Sequence, residues 1–546
     1  MGEIGFALSH YGAAAVLALL AYQFGRRLTS RLNYHSALEE FSLSAALGLG
    51  AIAYLIMFLS LAGLLYRPVI AVALAAGSAA CYQVWIDLFR RLKSALDRLR
   101  SASRIHIVFW AAVIIAVFAL SIPILQMPLY PPTAFDSTFY HLPAAKAYAQ
   151  NHGLVFTPYL RYAVFPQTPH MLFTLALIFY DDVLAHLVMF LSLLILLCAV
   201  IAFGRRYFSA RAGWWAAALI TGNALVLQVA SIAYVDMLLI LFVMTAVYAF
   251  WNWTQERDEK WIAIAGALCG LAITVKYSAG FFLLLLGLVA AYRGFRDRSL
   301  RPGLILWLSA LIVAFPWLAR NFYYTRNPVY PFFYEVFTGV FGYGYMRPEY
   351  YVGFFEDISA YGIGKSIQSL IALPWHMTFG HASFLTDKPL APYLLFALPV
   401  LITCVFRNKH IRRLAILTFA FTLFWFFTIQ VDRYWMPALP FLNLAIMASL
   451  DELLNWNRAV HKYTSHAVTV CLVIMFVARP GWSYAVKTTH EAGPIPINRE
   501  QMDNYLARNL PSYSAYKLLN EKGKPSYTIY AIQDENLNYY ANGKQI

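Results

Sequence analysis

Only 13% of this 546-residue chain is charged, and a few acids and bases stand at the ends of apolar runs, where they could do chemistry. Asp136 lies in Ala-Phe-Asp-Ser-Thr-Phe-Tyr-His-Leu-Pro, in the first long polar interval. A carboxylate held in a semi-dry pocket gains basicity, which suits removal of a proton from an attacking hydroxyl. The same position also fits a helix N-cap, and the sequence weighs the two readings evenly. A helix starting here sets Tyr140 one turn from Asp136 and leaves His141 near the same rim. Arg161 follows in the same interval as a further pocket residue.

Asp236, in Ser-Ile-Ala-Tyr-Val-Asp-Met-Leu, stands in a very short link beside an apolar run. An ionisable group there is expensive and marks function ahead of a simple turn residue. It reads as a second pocket carboxylate that orients an acceptor or, with Asp136, holds a divalent ion. Lys276, in Thr-Val-Lys-Tyr-Ser, stands alone between two short apolar halves. A lysine so placed either snorkels to headgroups or faces an anion at the membrane surface. Arg320, in Pro-Trp-Leu-Ala-Arg-Asn, has the planar fork that grips phosphate with two bonds. Arg433, in Val-Asp-Arg-Tyr-Trp, is placed in the same way, although adjacent Asp432 could neutralise it. Of the remaining histidines, His376 and His381 fall on the same side, where a hydrogen-bonding role is expected.

The elements that position these groups follow from hydropathy. With 60% apolar residues, no soluble globule could bury the surface, so the chain is a polytopic membrane protein. The formal charge of +15 gathers in the short links between apolar runs, which excludes a nucleic-acid surface as its explanation. The five cysteines all fall in apolar segments without metal-ligand spacing, as packing residues do. No His-Glu-x-x-His, Gly-x-Ser-x-Gly or phosphate-loop pattern occurs, which argues against ATP hydrolysis and serine-nucleophile chemistry.

About fourteen apolar runs are long enough to count as membrane segments. They lie near 8–25, 41–65, 68–89, 105–125, 183–203, 213–232, 237–253, 261–276, 278–293, 303–322, 391–406, 414–430, 437–450 and 467–482. Alternate links are strongly basic, from Arg26, Arg27 and Arg31 through Arg90 to Arg104, then Arg205 to Arg211, Arg257 to Lys260, Arg293 to Arg301, Arg407 to Arg413, and Arg458 with Lys462. The short links of the other set hold only Arg67, Lys276 and Arg433. The positive-inside bias puts the first set in the cytoplasm. Asp136, the outer loops 126–182 and 323–390, and the tail from 483 onward are then outside.

Charge and spacing divide the chain into N-terminal membrane segments (1–104), a transmembrane body (105–482) and a small α/β C-terminal domain (483–546). In the tail, Arg499–Ala507 and Pro511–Glu521 read as helices, Ser526–Ile532 as a strand and Tyr539–Ile546 as a second strand. The tyrosines and phenylalanines of Phe322–Phe355 read chiefly as an interfacial aromatic belt.

An acid in the first long outer loop, a second in the next outer link, a lysine between two short helices, then Pro-Trp-x-x-Arg-Asn and an aromatic loop together resemble the GT-C superfamily. These are polyprenyl-phosphate-sugar-dependent glycosyltransferases, among them the protein O-mannosyltransferases and the lipid A aminoarabinose transferase. The resemblance runs from about Ile105 to the tail. It is strongest for bacterial membrane proteins with an Asp-Ser-x-x-Tyr-His-Leu-Pro loop and an Asn-Pro-x-Tyr-Pro loop, here Asp136–Pro143 and Asn327–Pro331. It implies an all-α GT-C transmembrane bundle with Asp136 as catalytic aspartate, Asp236 as the second acid, Lys276 near the carrier phosphate and Arg320 as a looser match to a phosphate-binding arginine; Arg433 joins the donor-phosphate set on its placement alone. Ser137 replaces the Glu of the mannosyltransferases' Asp-Glu pair, so protein mannosylation is not implied. Tyr277 replaces the Gly that follows Lys in the aminoarabinose transferases.

The expected reaction is inverting transfer of a hexosyl or pentosyl group from a polyprenyl phosphate to an acceptor hydroxyl on the outer face of a bacterial inner membrane. The acceptor could be a lipid, a glycan or a protein, and a divalent cation between Asp136 and Asp236 stays open. The alternative is a transporter or flippase of a lipid-linked anion. Transporters favour inverted repeats and polar groups at the membrane midplane, whereas the polar candidates here gather at outer helix ends.

Overall fold

The computed structural model describes residues 2–101, 104–158, 160, 162–345, 360–380, 384–386, 388–456, 480–523, 527–529 and 538–545. Among them, nine helices are long and apolar enough to cross a membrane, or up to eleven if each of two bent pairs is one span. The chain is a multi-pass, all-α membrane protein.

The bundle is built on close helix pairs. Helices α1 (Glu3–Leu28) and α2 (Ala37–Leu61) touch backbone to backbone. A Cβ on Gly25 or Gly48 would collide with the Ser44 or Ala21 carbonyl, which is the small-residue packing that lipid-embedded helices use. Further along come α3 (Arg67–Ala80), α4 (Tyr82–Ser101) and α5 (Arg104–Gln126). Beyond a five-residue π-helical turn, Ser137–His141, lie α6 (Leu142–Gln150) and α7 (Thr168–Phe179). The core is α8 (Asp182–Tyr207) and α11 (Asp236–Glu256), buried almost all round. Between them stand α9 (Ala210–Thr221) and α10 (Ala224–Ala230). Helices α12 (Glu259–Ile273), α13 (Gly280–Arg296) and α14 (Arg301–Thr325) follow.

Two expected spans are broken. The run 68–89 divides into α3 and α4, which meet at 66°. The run 213–232 bends by 73° between α9 and α10, where Asn223 accepts from the Leu225 N–H and donates to the Leu390 carbonyl. Hydropathy registers apolar length but not such a polar joint. The short apolar helix α7 lies within the expected outer loop, and the expected run at 391–406 is a 12-residue helix, Leu394–Val405. Most of the expected run 467–482 lies outside the described residues.

Among the described residues, arginines of three basic links meet acids at one end of the bundle. Arg206, in the last turn of α8, reaches both Glu39 at the start of α2 and Glu256 at the end of α11, while Arg26 and Arg91 converge on Glu40 at 2.9 and 2.8 Å. At the opposite end, α11 begins and α12 ends. In the tail, Ser483–Ala492, Arg499–Asn509 and Tyr513–Lys522 are helices. The described strand content is one parallel pair, Thr528–Ile529 with Lys544–Gln545, too short to form a sheet by itself. The tail leans on the long loop before α6: the Tyr130 hydroxyl donates to the Gly493 carbonyl at 2.6 Å, and the Tyr130 and Tyr505 rings stack 5.5 Å apart.

Candidate active site

Helices α11 and α12 form a hairpin across a two-residue link, so the first residue of one and the exit from the other meet at the same rim. Asp236 opens α11, where a negative charge suits the helix N-terminus, and Lys276 follows the C-terminus of α12, where a positive one does. The Lys276 ammonium sits 2.5 Å from the Asp236 carboxylate, and Asp236 is 1% exposed. The break between α12 and α13 makes this contact, because Lys276 is extended there (φ −147°, ψ 136°) and its side chain leaves the helix surface.

Asp136 and Arg433 close the cluster. Asp136 precedes the π-helical turn but makes no side-chain capping bond to it. Its carboxylate is instead ion-paired with the Arg433 guanidinium, which also stands 4.0 Å from Asp236. The Asp136 N–H donates to the Tyr234 hydroxyl at 3.4 Å. Arg433 rides on the short helix Asp432–Trp435, and its guanidinium lies 4.7 Å from the Tyr234 ring and 5.4 Å from that of Tyr434. The Lys276 ammonium lies 4.1 Å from the Tyr434 ring. Two carboxylates and two cations from four parts of the chain thus neutralise one another, as buried charges must. Asp432 spends its hydrogen bonds away from the Arg433 guanidinium. One of its oxygens takes the Thr386 N–H (3.1 Å) and hydroxyl, and the other takes the backbone N–H of Arg433 (2.7 Å).

Two cavities adjoin this cluster. The smaller, 130 Å³, is lined by Tyr140, His141, His170, Lys276 and Tyr434 among others. The larger, 570 Å³, has walls of Leu283, Trp307, Leu318, Phe421, Phe424 and Trp425 and is almost wholly apolar. Tyr277, Ser278, Phe332, Ile429 and Tyr434 line both, so the greasy space abuts the charged one.

His141 Nδ1 lies 3.1 Å from His170 Nε2. Burial pushes His170 down to about 3, helped by the nearby Arg320 charge. Burial also holds His141 well below the usual imidazole range, with His170, Lys276 and Arg433 adding to the effect. Both rings are therefore neutral near neutral pH. Tyr140 meets Tyr162 edge to face at 4.7 Å.

The fold gathers Asp136, Asp236, Lys276, Arg433, Tyr140 and His141, while Arg320 stands behind the pocket wall, where its charge acts on His170. The Arg320 guanidinium donates to the Ala163 carbonyl at 3.1 Å and lies over the Trp317 and Tyr324 rings, apart from the four charges. Arg161 lies outside the described residues. Asp136 and Asp236 are each engaged by a basic side chain. Among the described residues no group of three or more His, Cys, Asp or Glu stands together as a metal-ligand cluster. The sequence reading missed Tyr234, Tyr434 and His170. The two tyrosines stand within two residues of Asp236 and Arg433, and that proximity was the available signal. His170 lies in the first turn of α7, inside the span expected to be outer loop.

Residues 183–351 match the family described as dolichyl-phosphate-mannose-protein mannosyltransferase. An uncharacterized protein of Shigella flexneri is 30% identical over 89 residues, 16% of this chain and 45% of that protein, so the match spans less than half of the relative. Among solved structures, ArnT from Cupriavidus metallidurans bound to undecaprenyl phosphate superposes with a TM-score of 0.53 at 19% identity, covering 80% of this chain and 85% of ArnT. The apo ArnT structure gives 0.52 at 17% identity, over 81% and 86%. The chain has the GT-C fold that its sequence resembles.

Proposed function

We propose that this GT-C-fold membrane protein is a glycosyltransferase that moves a sugar from a polyprenyl-phosphate carrier to an acceptor hydroxyl, with inversion. The observation that carries the reading is the junction of the two cavities. A carrier with a long hydrocarbon tail and a phosphate head needs an apolar chamber ending at cations, and the 570 Å³ apolar cavity shares Tyr277, Ser278, Phe332, Ile429 and Tyr434 with the pocket of Lys276. Its volume falls in the range of about 300–1,000 Å³ usual for ligand sites. ArnT, of the same fold, is described bound to undecaprenyl phosphate.

In this reading Lys276 and Arg433 receive the carrier phosphate. As Arg433 turns its fork to the phosphate, the Asp136 carboxylate is released from its partner and free to accept a proton. Asp136 then takes the proton of the acceptor hydroxyl while that oxygen bonds to the anomeric carbon from the face opposite the carrier. The bond from the anomeric carbon to the phosphate oxygen breaks, and its electron pair leaves on the polyprenyl phosphate. The two cations stabilise that developing charge, and Asp236 keeps Lys276 aimed. In this reading the links rich in basic residues lie in the cytoplasm, in keeping with the positive-inside bias, and the site opens on the outer face of a bacterial inner membrane. Sugar and acceptor follow from assay.

The test is transfer of labelled sugar from a panel of polyprenyl-phosphate sugars in membranes carrying wild type or Asp136→Asn at equal levels. Transfer by wild type alone supports the reading, and the productive donor names the sugar. Equal transfer by both moves the base elsewhere. Carrier binding without transfer from any donor favours a transporter of lipid-linked anions.

A further inference from the structure

The turn that carries Asp136, Tyr140 and His141 has a shortage of hydrogen-bond donors written into its sequence. A π-helical N–H reaches five residues back, and in the turn Ser137–His141 the Leu142 N–H is taken in this way by the Ser137 carbonyl. The next donor in that series is residue 143, a proline, which has no N–H. Thr138 thereby loses both donors a helix could offer its carbonyl, from 142 and from 143. Phe139 loses its donor four residues on for the same reason. Thr138 is fully buried and Phe139 is 4% exposed, so water is a poor substitute.

The missing donors come from the far end of the chain. The Tyr539 N–H donates to the Thr138 carbonyl at 2.9 Å, and Asn538 Nδ2 donates to the Phe139 carbonyl at 2.9 Å. The same segment is tied down on both flanks. The Lys146 ammonium, one turn beyond Pro143, donates to the carbonyls of Tyr539 (2.9 Å) and Ala541 (3.2 Å) and to Asn542 Oδ1 (3.3 Å). The Tyr540 hydroxyl donates to the Pro132 carbonyl at 2.6 Å, and that of Tyr539 to Asp182 at 3.0 Å.

We propose that residues 538–542 are a positioning segment of the active site, filling the carbonyls that Pro143 leaves open and so holding the turn that aims Asp136 and His141. The catalytic part rests on the proposed glycosyltransferase reading; the structural coupling does not. The segment's bonds go to the turn and to its flanks at Pro132, Lys146 and Asp182, so it acts by position.

The test uses the full chain in detergent or nanodiscs and reads backbone hydrogen exchange across 134–146 beside transfer kinetics. Tyr539→Pro removes the N–H, whereas Tyr539→Phe keeps it and removes only the hydroxyl. Exchange across the turn should rise about tenfold or more in Tyr539→Pro and stay near wild type in Tyr539→Phe. Transfer by Tyr539→Pro should lose kcat with little change in KM for the donor, the pattern of a misplaced group with binding intact. Pro143→Ala, which returns a donor to the turn, should recover protection in the Tyr539→Pro background. Asn538→Ala is the milder variant and should show a smaller rise. Unchanged exchange in Tyr539→Pro overturns the proposal, as does an equal rise in Tyr539→Phe, which traces the effect to the hydroxyl. If exchange rises as expected while wild type transfers from no donor, the coupling stands and the functional reading falls.

Discussion

The Arg433 guanidinium pairs with the Asp136 carboxylate and not with Asp432, its neighbour in sequence. Asp432 is occupied by Thr386, which frees Arg433 to face the pocket. Asp136→Asn should cut transfer by about 100-fold or more, the usual worth of a positioned base. Asp432→Asn keeps an oxygen for Thr386 but sets its NH2 against the Arg433 backbone N–H that the other carboxylate oxygen accepts, and should lose only about tenfold. Sugar-transfer assays at matched expression separate the two, and an equal loss in both variants would reverse the assignment.

Lys276 and Asp236 form a contact with one partner almost wholly buried. Lys276→Ala leaves the Asp236 carboxylate with Arg433 alone, at 4.0 Å, and should destabilise the protein by about 3–5 kcal/mol. In Lys276→Met with Asp236→Leu both charges go, so most of that stability should return while transfer stays lost. Thermal unfolding in detergent measures the first effect and the sugar assay the second. A double variant no more stable than Lys276→Ala would refute the pairing.

The buried pair His141 and His170 makes stability depend on pH. An unfolded imidazole binds a proton below about pH 6.5, whereas His170 in place does so only near 3. The unfolded state therefore holds more protons between those values, and stability rises with pH there. Taking the pH down from 6.5 should lower Tm progressively, and His170→Gln should flatten that slope. Melting curves from pH 7.5 to 4.5 give the answer; parallel slopes for both proteins would exclude the pair as the cause.

Ala314 lines the large apolar cavity and is 3% exposed. Ala314→Phe places a ring where a carrier tail would lie. KM for a long-chain polyprenyl donor should rise by about tenfold with kcat retained, the signature of lost uniform binding. A short-chain donor should be far less affected. Equal KM values for both lengths in wild type and variant would mean that the tail lies elsewhere.

Much of this protein is legible in one dimension because a bilayer imposes a simple rule on sequence. An apolar run of about 20 residues is a span whatever it packs against, so α1, α2, α8, α11 and α14 were all readable. Asp136, Asp236 and Lys276 were readable as candidates too, since an isolated charge beside such a run needs a reason.

The partners of those charges were decided only by tertiary structure. Adjacency suggested Asp432 for Arg433, but side-chain direction on a short helix and the presence of Thr386 gave it Asp136 instead. Arg320 had the right chemistry and neighbours, yet the path of α14 carries it to the Ala163 carbonyl. The bends at α3–α4 and α9–α10 escaped hydropathy, which sums apolar residues without regard to direction. Sequence alone could locate the lack of a donor at Pro143, because proline has no N–H wherever it stands. That Asn538 and Tyr539 supply the donors could emerge only when the chain closed on itself, since hydrogen bonds between distant segments depend on packing and not on spacing.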